Sequence, residues 1–246
     1  MSLIEDLYGP FFDLNNWVNV VSSTKDWLVI LSLAIIECLL SVDNAIVLAT
    51  QTKKLSTKKE QEKSLFYGLG GAYIFRFLLI GLGVYLIHFW EIKVIGSVYL
   101  LYLALKHFYR KKFNYGNKSF IHFSFKLPLF WSVIISIELM DLVFSVDSVL
   151  SSLAISHNPV IVLIGGLIGI LAMRGVANLF IRLINKIPEL ETMAYFLIVI
   201  IAIKLLIEIP IIDIHVSPVF FGMLVLFIVL FTIIVHYVKN FLRKNN

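Results

Sequence analysis

A chain of 246 residues that is 59% hydrophobic, with mean hydropathy +0.91 and only 15% charged residues, is too apolar for an ordinary water-soluble domain. Its formal charge of +5 comes from lysines and arginines gathered on one set of loops, which excludes nucleic acid as the partner they serve. A single cysteine, Cys38, excludes an internal disulfide.

Residues 1–26 carry Glu5, Asp6, Asp13 and Asp26 against one lysine, so they lack the basic start of a cleaved signal peptide. Phe11, Phe12, Trp17 and Trp27 instead predict an interfacial segment leading into the first span. Apolar runs follow at 27–49, 64–88, 92–108, 128–154, 160–184, 191–209 and 217–238. Each is near the roughly 20 residues that cross about 30 Å of hydrocarbon. The runs are continuous and do not alternate, which argues for helices over a membrane barrel. The expected fold is an all-α membrane protein of seven transmembrane helices.

Orientation follows from Lys and Arg. Fifteen lie on one side: the 50–63 loop, the 109–127 loop, Arg182, Lys186 and the tail Lys239, Arg243 and Lys244. Lys25 and Lys93 lie on the other. This predicts an external N-terminus and a cytoplasmic C-terminus in the cell membrane.

The spans repeat. Ser41-Val42-Asp43 returns as Ser145-Val146-Asp147, an offset of 104. Gly68, Gly71 and Arg76 return as Gly166, Gly169 and Arg174, and Ala104-Leu105-Lys106 as Ala202-Ile203-Lys204, both at 98. Three aligned signatures in one order indicate internal duplication. Three helices per copy is an odd number, so the second copy enters the membrane inverted, with a site near the midplane between copies. The expected division is an interfacial segment 1–26, a first repeat 27–108, a basic cytoplasmic loop 109–127 and a second repeat 128–209. A peripheral helix with a basic tail, 217–246, completes it.

Within these apolar runs lie Glu37, Asp43, Glu138, Asp141 and Asp147. A charged group at the centre of a bilayer costs roughly 2.5–3.5 kcal/mol on insertion scales, so five imply a bound cation, protons or internal basic partners. Glu37, Ser41 and Asn44 share one helical face, as do Asp141, Ser145 and Ser148. Asp43 and Asp147 fall about 120° off those stripes. Either the helices unwind around Ser-Val-Asp, or each aspartate meets another neighbour such as Arg76 or Arg174. Lys106 and Lys204 lie nearer helix ends and are expected to snorkel to the interface. The candidate ligands are all oxygen, with no central histidine, which suits magnesium, calcium or manganese. With both deep arginines counted, five carboxylates leave an excess of negative charge, and proton-for-metal exchange is a natural expectation.

The Glu37…Ser41-Val42-Asp43-Asn44 stretch and Glu138-x-x-Asp141-x-x-x-Ser145-Val146-Asp147-Ser148 resemble the paired signatures of the TerC family of integral membrane proteins. The likeness covers residues 27–240. It implies manganese export, and with it the family's links to tellurite resistance and to loading metal onto secreted enzymes. It places the family's intramembrane acids on Glu37, Asp43, Glu138, Asp141 and Asp147.

The expected activity is therefore export of divalent manganese, calcium or magnesium being less favoured. Glu37, Asp43, Asp141 and Asp147 are the expected direct ligands, between helices 1 and 4. Glu138 is a further ligand or proton carrier, Asn44 and Ser148 are supporting ligands, and the resting acids are expected to face the cytoplasm. The alternatives are a calcium or organic-cation exchanger, and a non-transporting assembly factor that docks a secretion-machinery or membrane-protein partner on the basic loop. No Ser–His–Asp or Cys–His set converges, so enzymatic chemistry is not expected.

Overall fold

Four of the helices begin at side-chain caps in the computed structural model of the chain, which describes residues 3–82, 90–113, 128–214 and 216–244. Asp13 caps α2 (Leu14–Ser22), which follows α1 (Leu3–Phe12), and Ser23 caps α3 (Thr24–Leu40). α4 (Val42–Thr52) follows directly. Thr57 and Glu60 form a capping box that opens α5 (Lys58–Gly81). α6 (Trp90–Phe113) and α7 (Leu129–Ile155) come next. Asn158 caps α8 (Pro159–Lys186), whose Pro159 sits in the first turn where its missing N–H costs nothing. α9 (Glu189–Ile207) and α10 (Pro218–Lys244) complete the order. Regular structure among the described residues is entirely helical.

α5, α7, α8, α9 and α10 are long and apolar enough to cross a membrane, and the α3–α4 pair, bent by 56°, would make a sixth crossing. α6, on which the third expected span falls, is long enough but less apolar: it bears Glu91 and Lys93 in its first turn and Lys106 to Lys112 near its last. Residues 83–88 of the second expected span, residues 114–127 of the basic loop, and His88, His122 and His215 lie outside the described residues.

Two ends of the bundle are defined by contacts. At one, α1 and α2 close over the finish of α5 and the start of α8. Tyr8 donates to the Leu78 carbonyl at 2.9 Å, Trp17 donates to Phe11, and the amides of Asn16 and Asn158 bond reciprocally. The other, basic end carries Lys53 against Asn185, Lys111 against Thr192, and Glu189 against His236.

α3 packs along α8, and α5 along α7; α4 meets α9, and α7 meets α6. α5 also packs on α8, α6 on α9, and α4 on α7. α10 rests mainly on α9 and leaves Phe220, Met223, Phe227 and Phe231 exposed, so it is peripheral. A smaller core at the α1/α2 end holds Ile30, Leu33, Leu79, Ile80 and Val160. A larger one runs through α4, α6, α9 and the first half of α7. Arg76 falls on α5 between Ala72 of the larger core and Leu79 of the smaller, and Glu37 falls between Leu33 of the smaller core on α3 and Ala45 of the larger on α4.

Candidate functional site

The acids divide into two groups, each with its own cations. In the first, Glu37 forms an ion pair with Arg76, and Asp141 pairs with Arg174 at 2.6 Å. All four side chains are buried. Arg76 also donates to Ser148 Oγ at 2.5 Å, and Ser41 Oγ donates to Glu37 at 3.3 Å. Each arginine lies against a glycine of the other repeat. A Cβ on Gly68 would stand 2.9 Å from Arg174 Nη1, and one on Gly166 would stand 2.9 Å from Arg76 Nη2. The close approach of α5, α7, α8 and α3 therefore depends on these glycines.

Glu138 has no such partner. Both its carboxyl oxygens are buried without a hydrogen bond among the described residues, as are Nε and Nη1 of Arg174. Its carboxyl fills the space beside Gly71, where Glu37 fills the space beside Gly169. Glu37 thus combines two places that α7 divides: Asp141 takes the arginine and Glu138 takes the glycine. The stretch from Glu138 to Asp147 is correspondingly longer than that from Glu37 to Asp43, nine residues against six.

In the second group, Asp43 pairs with Lys204 at 3.3 Å and Asp147 with Lys93 at 2.5 Å. The Lys204 ammonium is also 4.9 Å above the Phe221 ring and lies in the fields of Glu208 and Asp147. Both expected explanations of the off-stripe aspartates hold, one per repeat. The first helix breaks at Ser41, and Asp43 opens α4, where the N–H dipoles of the first turn favour a carboxylate. Asn44 N donates to Asp43 Oδ1 at 3.0 Å. α7 runs unbroken, and Asp147 reaches a different neighbour.

Three expectations need adjustment. Neither Asp43 nor Asp147 meets an arginine, because Glu37 and Asp141 occupy both. Lys204 does not snorkel away but turns inward, its side chain 13% exposed. The acids are not turned as a set toward the basic end: α4 is buried from Asp43 to Thr52, whereas the Asp147 side chain is 34% exposed, beside the first turn of α6. Among the described residues no three His, Cys, Asp or Glu side chains converge as a metal cage. Four of the five acids instead hold an arginine or a lysine: Glu37 with Arg76, Asp141 with Arg174, Asp43 with Lys204 and Asp147 with Lys93.

Sequence reasoning passed over Lys93, Glu208 and Phe221. Lys93 was counted among the external loop charges, and Glu208 closes an apolar run whose interior Lys204 was the available signal. Asn44 and Ser148, expected as supporting ligands, are both buried; Ser148 serves Arg76, and Asn44 Oδ1 has no donor among the described residues.

The profile of the family described as "Integral membrane protein TerC family" matches residues 22–246. The chain is 49% identical over 201 residues to the "Uncharacterized membrane protein YceF" of Bacillus subtilis (strain 168), covering 80% of this chain and 78% of that one. It is 31% identical to the "Uncharacterized membrane protein YkoY" of the same organism, over 82% and 66% of the two chains. It is 28% identical to the "Thylakoid membrane protein TERC, chloroplastic" of Arabidopsis thaliana, over 71% and 52%. No solved structure matches.

Proposed function

Because the chain belongs to the TerC family of integral membrane proteins, we propose that it is a multi-pass transporter of the cytoplasmic membrane, exporting divalent manganese by alternating access. The observation that carries this reading is the pair of repeated aspartates, Asp43 and Asp147, the first buried and the second one-third exposed, each held by a lysine from another helix. Carboxylates of this kind mark ion pathways when they stand in membrane spans. An all-oxygen donor set favours a hard divalent ion, and the manganese preference and the export direction come from the resemblance of the two acidic signatures alone.

The packing supports the inverted-repeat reading. Exchanging α3–α4 with α7, α5 with α8 and α6 with α9 turns the α3–α8 contact into α7–α5 and the α4–α9 contact into α7–α6, and both members of each pair occur. The reading counts α6 as the seventh crossing, with its lysines at its ends, and places the α1/α2 end outside. In it Glu37–Arg76 and Asp141–Arg174 are fixed struts, Asp43 and Asp147 take the ion, and Glu138 relays protons. This is a transport reading and not an enzymatic one.

A second reading is a non-transporting assembly factor. Metal flux into proteoliposomes decides between them, comparing manganese with calcium, magnesium and zinc for the wild type and Asp147→Asn. Manganese-selective flux abolished by the substitution supports transport. Folded protein that moves no ion, while a membrane or secretion-machinery protein co-purifies, overturns it.

A further inference from the structure

Asp43 and Asp147 have matched occupants. Lys204 reaches Asp43 from the last turn of α9, and Lys93 reaches Asp147 from the first turn of α6. These lysines are not repeat equivalents: the equivalent of Lys204 is Lys106, which instead donates to Tyr102 at 3.3 Å. Two amino groups therefore meet two carboxylates at places the duplication did not dictate. Next to Asp43, Asn44 Oδ1 is an acceptor on a side chain only 6% exposed, and no donor among the described residues reaches it. The Lys204 ammonium bonds Asp43 Oδ2 and leaves that oxygen unused. One divalent ion carries the charge of two ammoniums, so replacing both lysines by one such ion leaves the net charge of the site unchanged.

We propose that Lys93 and Lys204 are tethered cations, holding Asp147 and Asp43 in the ion-free protein and displaced together by one divalent ion. The proposal rests on the transport reading above and adds how the empty carrier returns. After the ion leaves, the two ammoniums neutralise the aspartates again, and the bundle rearranges without bare carboxylates in its interior. A site blocked by its own lysine binds the ion with an affinity reduced by the fraction of time it is free. Lysines present nine-tenths of the time weaken binding about tenfold.

The test is manganese titration of the full chain in nanodiscs, with net efflux and manganese–manganese exchange measured in liposomes. Lys204→Met is expected to bind manganese about tenfold more tightly, to lose net efflux and to keep exchange. Its melting temperature without metal should fall, and manganese should raise it by more than in the wild type. Lys204→Arg, which keeps the charge, should retain wild-type affinity and covers the case in which the methionine variant does not fold. Lys106→Met, off the site, should change neither. Wild type that binds manganese while Lys204→Met binds it equally or more weakly overturns the tethered-cation proposal alone, as does a tenfold gain in Lys204→Arg. No divalent binding or flux in the folded wild type or any variant overturns the transport reading and this proposal with it.

Discussion

Arg76 lies against Gly166, as Arg174 lies against Gly68, so the arginine of each repeat is housed in the helix of the other. The arrangement joins α5 to α8 through their smallest residues and makes the two buried ion pairs depend on one interface.

The glycines should not respond alike to alanine. At Gly169 a Cβ would meet Cβ and Cγ of Glu37 and, at 3.5 Å, the Ala34 carbonyl, none of which moves without α3. Gly169→Ala is expected to cost about 1–3 kcal/mol, the usual range for overpacking. Gly71→Ala meets only the far end of Glu138 and should cost less. Gly70→Ala adds a methyl where nothing lies within 4 Å and should be neutral, or stabilising by up to about 1 kcal/mol through helix propensity. Thermal unfolding in detergent gives the order, and a Gly70 variant as damaged as the Gly169 variant would contradict it.

The ion pairs make a second test. Arg76 is fully buried, so Arg76→Met strands Glu37 in the interior, at about 3–5 kcal/mol. Adding Glu37→Gln removes the stranded charge and should recover most of that loss. The double variant melting no higher than Arg76→Met would mean that the arginine stabilises through its packing and its bond to Ser148, and not through charge.

Much of this was legible in the chain. Apolar runs located the helices, and the spacing that Gly68, Gly71 and Arg76 share with Gly166, Gly169 and Arg174 singled out the arginines and glycines that meet between α5 and α8. What spacing could not tell was which acid takes which cation. Glu37 and Asp141 win the arginines because they share the level of the glycine notches, a relation between helices and not within one. The break at Ser41 was only half visible, because it uses neither proline nor glycine. The inward turn of Lys204 was invisible, since it depends on Phe221 of α10, a helix outside the repeat.

Glu138 offers the cleanest separation of stability from function. Its carboxyl makes no hydrogen bond among the described residues, so Glu138→Gln removes the titratable group without breaking one. The melting temperature should hold or rise, while manganese flux should fall if the side chain carries protons. A variant that melts lower yet transports normally would make Glu138 a packing residue and nothing more.

Asp43 and Asp147 should part company in the same pair of measurements. Asp43 is 3% exposed and its loss leaves the Lys204 ammonium without a carboxylate in the interior, so Asp43→Asn is expected to cost about 3 kcal/mol. Asp147 is one-third exposed at its side chain, where an ion pair is worth at most about 1 kcal/mol, and Asp147→Asn should melt near the wild type. Both should lose most manganese flux, because the proposed ion needs both carboxylates. The Asp147 variant is therefore the informative one: lost flux in a stable protein assigns the carboxylate to the ion, and retained flux removes it from the path, leaving Asp43 to be judged by its own flux.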